Sequence, residues 1–331
     1  RKKQPKDSYT AGNSIYAGYI ATEYYPVAPL LVNLGVRYEI SKQWVDYYTD
    51  GGKAERSELN KNDLFPSLNM KYQMNEKNSL RFAFSRTVTR PSFIEMAPFL
   101  YQESYGSAQI RGNADLQNGY NYNIDLRYEL FEKNGDMLSI TAYYKHLKAP
   151  IERVQTLSGG SAVHSFRNAD NGMATGVEIE FRKEIVKDLR FGVNGSYMYT
   201  NVKLPEGGAY TNSQRALQGA SPYLANADLT YSPAFSNDRQ LSVALLYNLQ
   251  GPRIHSVGIS GLGDIKQQPV HTLNFTGSYR FNRRFAVKLQ VNDLLNQDIL
   301  FKQEVPTTGD KVEVERFRKG TGFEVGFSYD L

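Results

Sequence analysis

Four histidines, His146, His164, His255 and His271, are the nitrogen ligands this sequence offers to a metal, and they are scattered. None stands at the i, i+4 or one-residue spacing that brings two imidazoles to one ion. Cysteine is absent, which excludes disulfides, zinc ribbons, thiol nucleophiles and iron–sulfur clusters. Neither a metal site nor a cofactor is expected. The run GISGLGD, Gly258 to Asp264, is glycine-rich, but it follows no buried strand and opens no helix. It reads as a flexible loop, not a phosphate cradle. A Ser–His–acid set is recognised by geometry and not by order along the chain, so spacing leaves that possibility open. No enzymatic constellation stands out, and an enzyme is not expected.

Two other groupings carry chemistry. The segment from Arg90 to Gly119 holds Phe93, Phe99, Tyr101 and Tyr105 together with Arg90, Glu95, Glu103 and Arg111. In a receptor mouth, Arg90, Phe99, Tyr101, Tyr105 and Arg111 would stack on a ligand and orient it by charge-assisted hydrogen bonds. The alternative is a loop packed on its neighbours to shield a rim. The second grouping comprises Arg37, Glu39, Lys71, Arg81, Asp125, Arg127, Glu129, Glu178, Glu180 and Arg182, each next to at least one apolar residue. These predict a charged ladder along one face, paired across strands.

The elements that carry these residues are strands. From Leu30 to Ser41, Leu30, Val32, Leu34, Val36, Tyr38 and Ile40 alternate with Leu31, Asn33, Gly35, Arg37, Glu39 and Ser41. The same period of two recurs at Tyr120 to Phe131 and Thr175 to Arg182. Thirteen such segments are predicted, near 13–24, 30–42, 64–74, 79–89, 120–131, 137–147, 174–183, 189–200, 222–231, 240–250, 270–281, 285–294 and 321–331. Short turns rich in Asn, Gly, Asp and Pro alternate with long loops along the whole chain. That rhythm, with one apolar and one polar face, predicts an all-β transmembrane antiparallel barrel with periplasmic turns and extracellular loops. Tyr24, Tyr25, Tyr72, Tyr231, Phe281 and Phe285 fall beside turns, and Tyr47, Tyr48, Tyr197 and Tyr199 nearer loops, as interfacial belts require. Apolar runs are a handful of residues, too short for a membrane helix. A net charge of +5 spread over 331 residues gives no reason to expect nucleic acid. The odd strand number leads to the expectation that residues 1–331 form one barrel segment, opening inside an extracellular loop and ending on the carboxy-terminal strand. Another segment must then close the sheet, because unpaired edges are costly in lipid.

Particular residues then become recognisable. The stretch DLFPSLNMKYQMNEKNSLRFAFSRTVTRPSFIEMAP, Asp63 to Pro98, resembles the barrel of TonB-dependent outer-membrane receptors, with Arg90, Pro91, Ser92 and Phe93 as the RPSF motif. RGNADLQNGYNYNIDLRYELF, Arg111 to Phe131, is similar to the family's GNPDLKPE segment, with Ala114 in place of its Pro. ATGVEIEFRK (Ala174 to Lys183), VKLQVNDLLNQDIL (Val287 to Leu300) and the final strand resemble family elements in family order, although Leu331 replaces the usual Phe. The resemblance implies about 13 carboxy-terminal strands of a barrel of roughly 22, in the outer membrane of a Gram-negative bacterium. It further implies a plug domain and TonB box outside this sequence, active import of a scarce nutrient energised through TonB, and lumen residues Arg37, Glu39, Arg81, Arg127, Glu129, Glu178, Glu180 and Arg182 facing the plug. Implied partners are TonB, outer-membrane lipids, the remainder of the barrel and plug, and a surface lipoprotein in some members. Siderophore, haem, cobalamin, glycan and peptide all stand as substrates, haem being disfavoured by the lack of histidine clusters. A passive porin or enzyme-bearing barrel without a plug, and a soluble all-β scaffold or adhesin, are the competing readings.

Overall fold

The computed structural model describes residues 8–49, 51–102, 109–158, 161–204, 213–235, 238–258 and 261–330. Thirteen strands run as an antiparallel meander in which each pairs with the next. They are Tyr9–Val27, Leu30–Tyr48, Ala54–Gln73, Asn78–Thr89, Gly119–Phe131, Met137–Lys148, Asn171–Val186, Leu189–Lys203, Tyr223–Tyr231, Gln240–Gln250, Val270–Arg280, Phe285–Asn292 and Gly322–Tyr329. The alternation read from the sequence places each within a few residues. The exceptions lie at the extracellular ends, where Leu30–Tyr48 and Ala54–Gln73 continue for 19 and 20 residues. Their upper halves carry Lys42, Gln43, Asp46, Arg56 and Glu58, so the apolar alternation fades where the strands leave lipid while backbone pairing goes on.

Exposure is inverted relative to a water-soluble sheet. Leu34, Tyr38, Ile40, Ile124, Leu126, Ile179 and Leu245 are exposed, whereas Glu39, Glu129, Ser139 and Thr141 are buried. The apolar face therefore points outward and the polar face inward, the arrangement of a lipid-embedded wall. Short turns are closed by local chemistry. Asn75 Oδ1 accepts the N–H groups of Lys77 and Asn78 at 3.0 and 2.9 Å, and Asn282 Oδ1 accepts those of Arg284 and Phe285, both at 2.9 Å.

Pairing between the third and fourth strands stops at Ser67↔Ser85, beside Pro66, which has no N–H to offer a neighbour. Arg86 fills the seam above. Its Nη1 donates to Leu64 O at 2.6 Å and its guanidinium lies 4.6 Å from the Tyr120 ring centroid.

The long loops are folded. Leu100–Tyr101, Ile110–Arg111, Ser161–Asn168 and Ile151–Ser158 make one four-stranded sheet, and Arg253–Ser256, Ile265–Gln267, Ile299–Glu304 and Lys311–Phe317 another. An isolated parallel bridge, Val154↔Val257, joins them into an upper tier. Beneath it Val154, Ala169, Val202, Leu204, Ile254 and Val257 form a dry core. Val202 lies on the inward face of its strand, with Leu204 just past the strand's end in the same core, so the loops fold over the inner side of the wall. Of the GISGLGD run, read from the sequence as a flexible loop, residues 259 and 260 lie outside the described residues, and the two ends are held by local contacts. Gly258 N–H donates to Asp264 Oδ1 at 2.9 Å, and a Cβ at Gly258 or Gly263 would stand 2.1 Å from Leu262 O or 2.3 Å from Glu304 O.

The face assignment has a direct test. Leu245 points outward at mid-strand and its neighbour Ala244 inward. Leu245→Arg should cost about 2–4 kcal/mol, read as a lower urea midpoint of the folded, heat-modifiable form, while Ala244→Arg should leave it within about 0.5 kcal/mol.

Candidate functional site: charged wall and extracellular mouth

Because strand residues alternate, the charges at every second position share the inward face, and the register decides which of them meet. Glu39 is held from two directions, by Arg37 Nε at 2.6 Å on its own strand and by Arg90 Nη2 at 2.6 Å from the rim. Glu129 accepts from Arg81 Nε at 2.7 Å, Arg127 Nε at 2.9 Å and Ser79 Oγ at 3.0 Å. Arg127 also faces Glu180 at 3.7 Å, and Glu180 is bonded by Arg182 Nη2 at 2.7 Å. The row crosses the sixth strand over Ser139 and Thr141, whose small side chains let Arg127 reach past them. Glu178 makes no ion pair among the described residues. It lines, with Lys71, Arg81, Asp125 and Arg127, an inward cavity of about 590 Å³.

The aromatic loop is braced to this wall. After Arg90 comes a single helical turn, Phe93–Met96, opened by Ser92, whose N–H donates to Glu95 Oε2 at 2.7 Å. Gln43 Nε2, on the inner face of the second strand, donates to Pro91 O at 2.6 Å and contacts Met96 Sδ at 3.1 Å. Met96 and Ala97 are fully buried with Val45 and Leu59, and Phe93 and Phe99 pack against them. Phe99 also stacks on Tyr9 at 5.5 Å and leans on Tyr101 at 5.5 Å. Arg111 lies on the short strand opposite Leu100. The RPSF motif is thus a latch between rim and wall. Tyr105 and Glu103 lie outside the described residues. Of the candidate mouth residues, Arg90 pairs with Glu39, Phe99 packs on the rim core and against Tyr101, and Tyr101 and Arg111 are half-buried on the upper tier.

Sequence spacing did not reveal a buried polar seam where the two upper sheets meet. Glu152, wholly buried, faces Arg215 with Oε2 and Nη2 2.6 Å apart. Gln218 spans three loops, accepting from Arg153 N at 3.0 Å and donating from Nε2 to His255 O at 2.8 Å. His164 is buried. It accepts from Arg153 Nε at Nδ1 over 3.0 Å, with the His255 ring 6.0 Å away. Burial, then the neighbouring Arg153 and His255, hold the His164 pKa down at about 3. Burial pushes the Glu152 carboxyl up, against the opposing pull of Arg215. No group of three or more His, Cys, Asp or Glu able to hold a metal occurs among the described residues. Signals for this seam are weak because its hydrogen-bonded members are separated by up to 66 residues, in loops without periodicity.

A sheet apolar outside and charged inside, with short turns at one end and folded loops at the other, defines an outer-membrane barrel wall. The chain belongs to the outer membrane protein beta-barrel family, whose sequence pattern matches residues 3–329. Its place is the outer membrane of a Gram-negative bacterium. The ferric enterobactin receptor of Pseudomonas aeruginosa is 21% identical over 270 residues, covering 75% of this chain and 35% of the receptor. A solved structure of that receptor with enterobactin superimposes with a TM-score of 0.62 at 16% identity, covering 97% of this chain and 54% of the other. The ferric yersiniabactin uptake receptor of Yersinia pestis gives 0.65 at 14% identity, with 98% and 46% covered. These structural likenesses establish the fold, and the chain spans about half the length of those receptors or less.

Two outcomes are expected. A Cβ at Gly112 would stand 2.2 Å from Ala97 O and 2.7 Å from Ile94 O. Gly112→Ala should therefore cost about 1–3 kcal/mol and speed protease cleavage between residues 90 and 118. His164 has an ordinary pKa of 6.5 when the loop is open and about 3 when it is closed. Its contribution is complete above about pH 6.5 and is lost as pH falls towards 3. Hydrogen exchange of residues 151–168 should accelerate from pH 7.5 to 5, after correction for intrinsic exchange, and this acceleration should shrink in His164→Gln.

Proposed function

We propose that residues 1–331 are one barrel segment of a TonB-dependent importer, supplying wall, rim and extracellular loops, and that its cargo is a ferric siderophore. The observation that carries this reading is the upper tier. Loops with their own buried core fold across the inner face of a charged wall, as a mouth that recognises cargo requires and an open passive pore does not. The relatives bear names of ferric enterobactin and ferric yersiniabactin receptors, which supports a ferric chelate over haem, cobalamin, glycan or peptide. Transport, not catalysis, is the activity proposed.

In this reading the wall residues Arg37, Glu39, Arg81, Arg127, Glu129, Glu178, Glu180 and Arg182 form the surface against which a plug rests. Glu178 and Lys71, free of ion pairs among the described residues, are the groups most open to a plug partner. At the mouth, Tyr101 and Arg111 contact cargo, while Arg90 and Phe99 hold the loop that presents them. The two end strands each pair on one side only among the described residues. Further strands of the receptor would satisfy them, since each orphan backbone group in lipid costs several kcal/mol. TonB, acting on the plug, supplies the work of opening.

The test is uptake of ⁵⁵Fe-loaded siderophores by iron-starved cells carrying the full-length receptor, with and without TonB. TonB-dependent accumulation of at least one ferric siderophore is expected. Equal accumulation in cells lacking TonB, or passive permeation by unrelated solutes of similar size, would overturn the importer reading in favour of a porin.

A further inference from the structure

The inner face of the wall divides into two sectors. Directly opposed residues share a face, so the pairings Glu178↔Ser196, Asn194↔Asn226, Asn226↔Asn248 and Leu246↔Asn274 carry the inward direction from the charged seventh strand to the eleventh. From the eighth strand to the eleventh, every inward position above the periplasmic ends is neutral except Asp228. Its carboxylate lies against the neighbouring strand, where a Cβ at Gly192 would stand 2.2 Å from Asp228 Oδ1. The charged rows of the earlier strands thus give way to amides, hydroxyls and apolar groups.

Two cavities follow one another along this neutral sector. One of about 350 Å³ lies against Asn194, Ser196, Leu224 and Asn226, and its far side is the charged row at Glu178 and Glu180. Above it, one of about 750 Å³ is lined by Met198 and Thr200, the next inward positions of the same strand, and by Arg253 and Lys266 of the upper tier. A groove therefore descends from the mouth along the eighth and ninth strands, bounded below on one side by carboxylates.

The chemistry of the groove changes with height. At its head Arg215 is ion-paired with Glu152, and Asp264 Oδ1 accepts from Gly258 N–H at 2.9 Å. Arg253 Nε donates to Gln267 Oε1 at 2.7 Å, and exposed Lys266 has no side-chain acceptor among the described residues. Arg253 and Lys266 against Asp264 leave this end cationic, which draws in an anion. Below, Asn226 Nδ2 donates to Asn194 Oδ1 at 2.7 Å and Asn248 Nδ2 to Asn226 Oδ1 at 2.5 Å, which holds these amides against the wall. Each amide keeps a second N–H for a passing solute. Neutral hydrogen bonds are about half as strong as charge-assisted ones, so the contacts guide a solute without trapping it. Glu178 and Glu180 repel an anion towards the amide side.

We propose that this groove is the path by which an anionic chelate leaves the mouth and descends the wall, drawn in at Arg253 and Lys266 and guided over Ser196, Leu224 and Asn226. The inference rests on the importer reading and adds the route to it. The charged second to seventh strands remain available to hold the plug while cargo moves along the neutral side.

The experiment uses the full-length receptor in iron-starved cells, and the probe is the ⁵⁵Fe-loaded siderophore that wild type accumulates. Surface binding is read in de-energised cells and uptake in energised ones, with heat-modifiability as the check on folding. Ser196→Trp, which fills the groove where the two cavities meet, should lose most of the uptake and keep the binding. Asn226→Arg should keep the binding and slow uptake about tenfold, the scale of one charge-assisted hydrogen bond holding an anion, and it decides the matter if Ser196→Trp does not fold. Ser85, inward on the charged side, stands as far above Asn78 as Ser196 stands above Leu189. Ser85→Trp should keep both binding and uptake. Wild-type uptake in Ser196→Trp and Asn226→Arg, or an equal loss in Ser85→Trp, would overturn the path. A wild type without TonB-dependent uptake would overturn the importer reading and the path with it, and that failure is distinct because it appears before any variant is compared.

Discussion

Everything in this chain follows from one constraint: in hydrocarbon there is no water to satisfy a backbone N–H or C=O. A meander of thirteen neighbouring strands answers it by pairing each strand with the next, with connections at the two ends only. Once the backbone is satisfied in this way, side chains are free to divide by face. Leucines, valines, isoleucines and tyrosines take the outer face because lipid is their solvent, and charges take the inner one. What would be an inside-out sheet in water is here the arrangement of lowest free energy.

The inner charges are arranged so that few stand alone. Lys71, Arg81 and Arg127 fall in one row across three strands, and like charges placed directly opposite repel. Glu129, one position along the strand pair, lies between Arg81 and Arg127 and bonds both. Glu39 plays the same part between Arg37 and the rim residue Arg90. The wall is therefore a connected polar surface, largely self-satisfied.

Above the membrane the physics changes. Water is available, so the loops are under no obligation to form sheet, yet they do, because Val154, Val202, Leu204, Ile254 and Val257 are apolar enough to make a core of their own. The buried pair Glu152–Arg215 adds little net stability for its desolvation cost, and its role is better read as fixing which loops meet. Gln218, bonded to two further loops, does the same with neutral groups. The mouth is a second small fold carried by the wall.

The period of two, the face each charge occupies and the alternation of short and long connections were legible in the sequence, because all three are local. Arg37 and Glu39 face inward for the same reason that Tyr38 faces out, and no distant residue is needed to say so. The RPSF motif was visible as a pattern but not as a latch, since Gln43 and Met96 meet across 53 residues. The upper ends of the second and third strands, the approach of the His164 and His255 rings and the Glu152–Arg215 seam were decided only in three dimensions. Each depends on which loops fold against which, and loops carry no periodicity from which that choice can be read. The sequence determined a membrane wall because lipid imposes one rule on every residue of a strand. The tertiary structure decided the mouth because there each contact is particular to its partners.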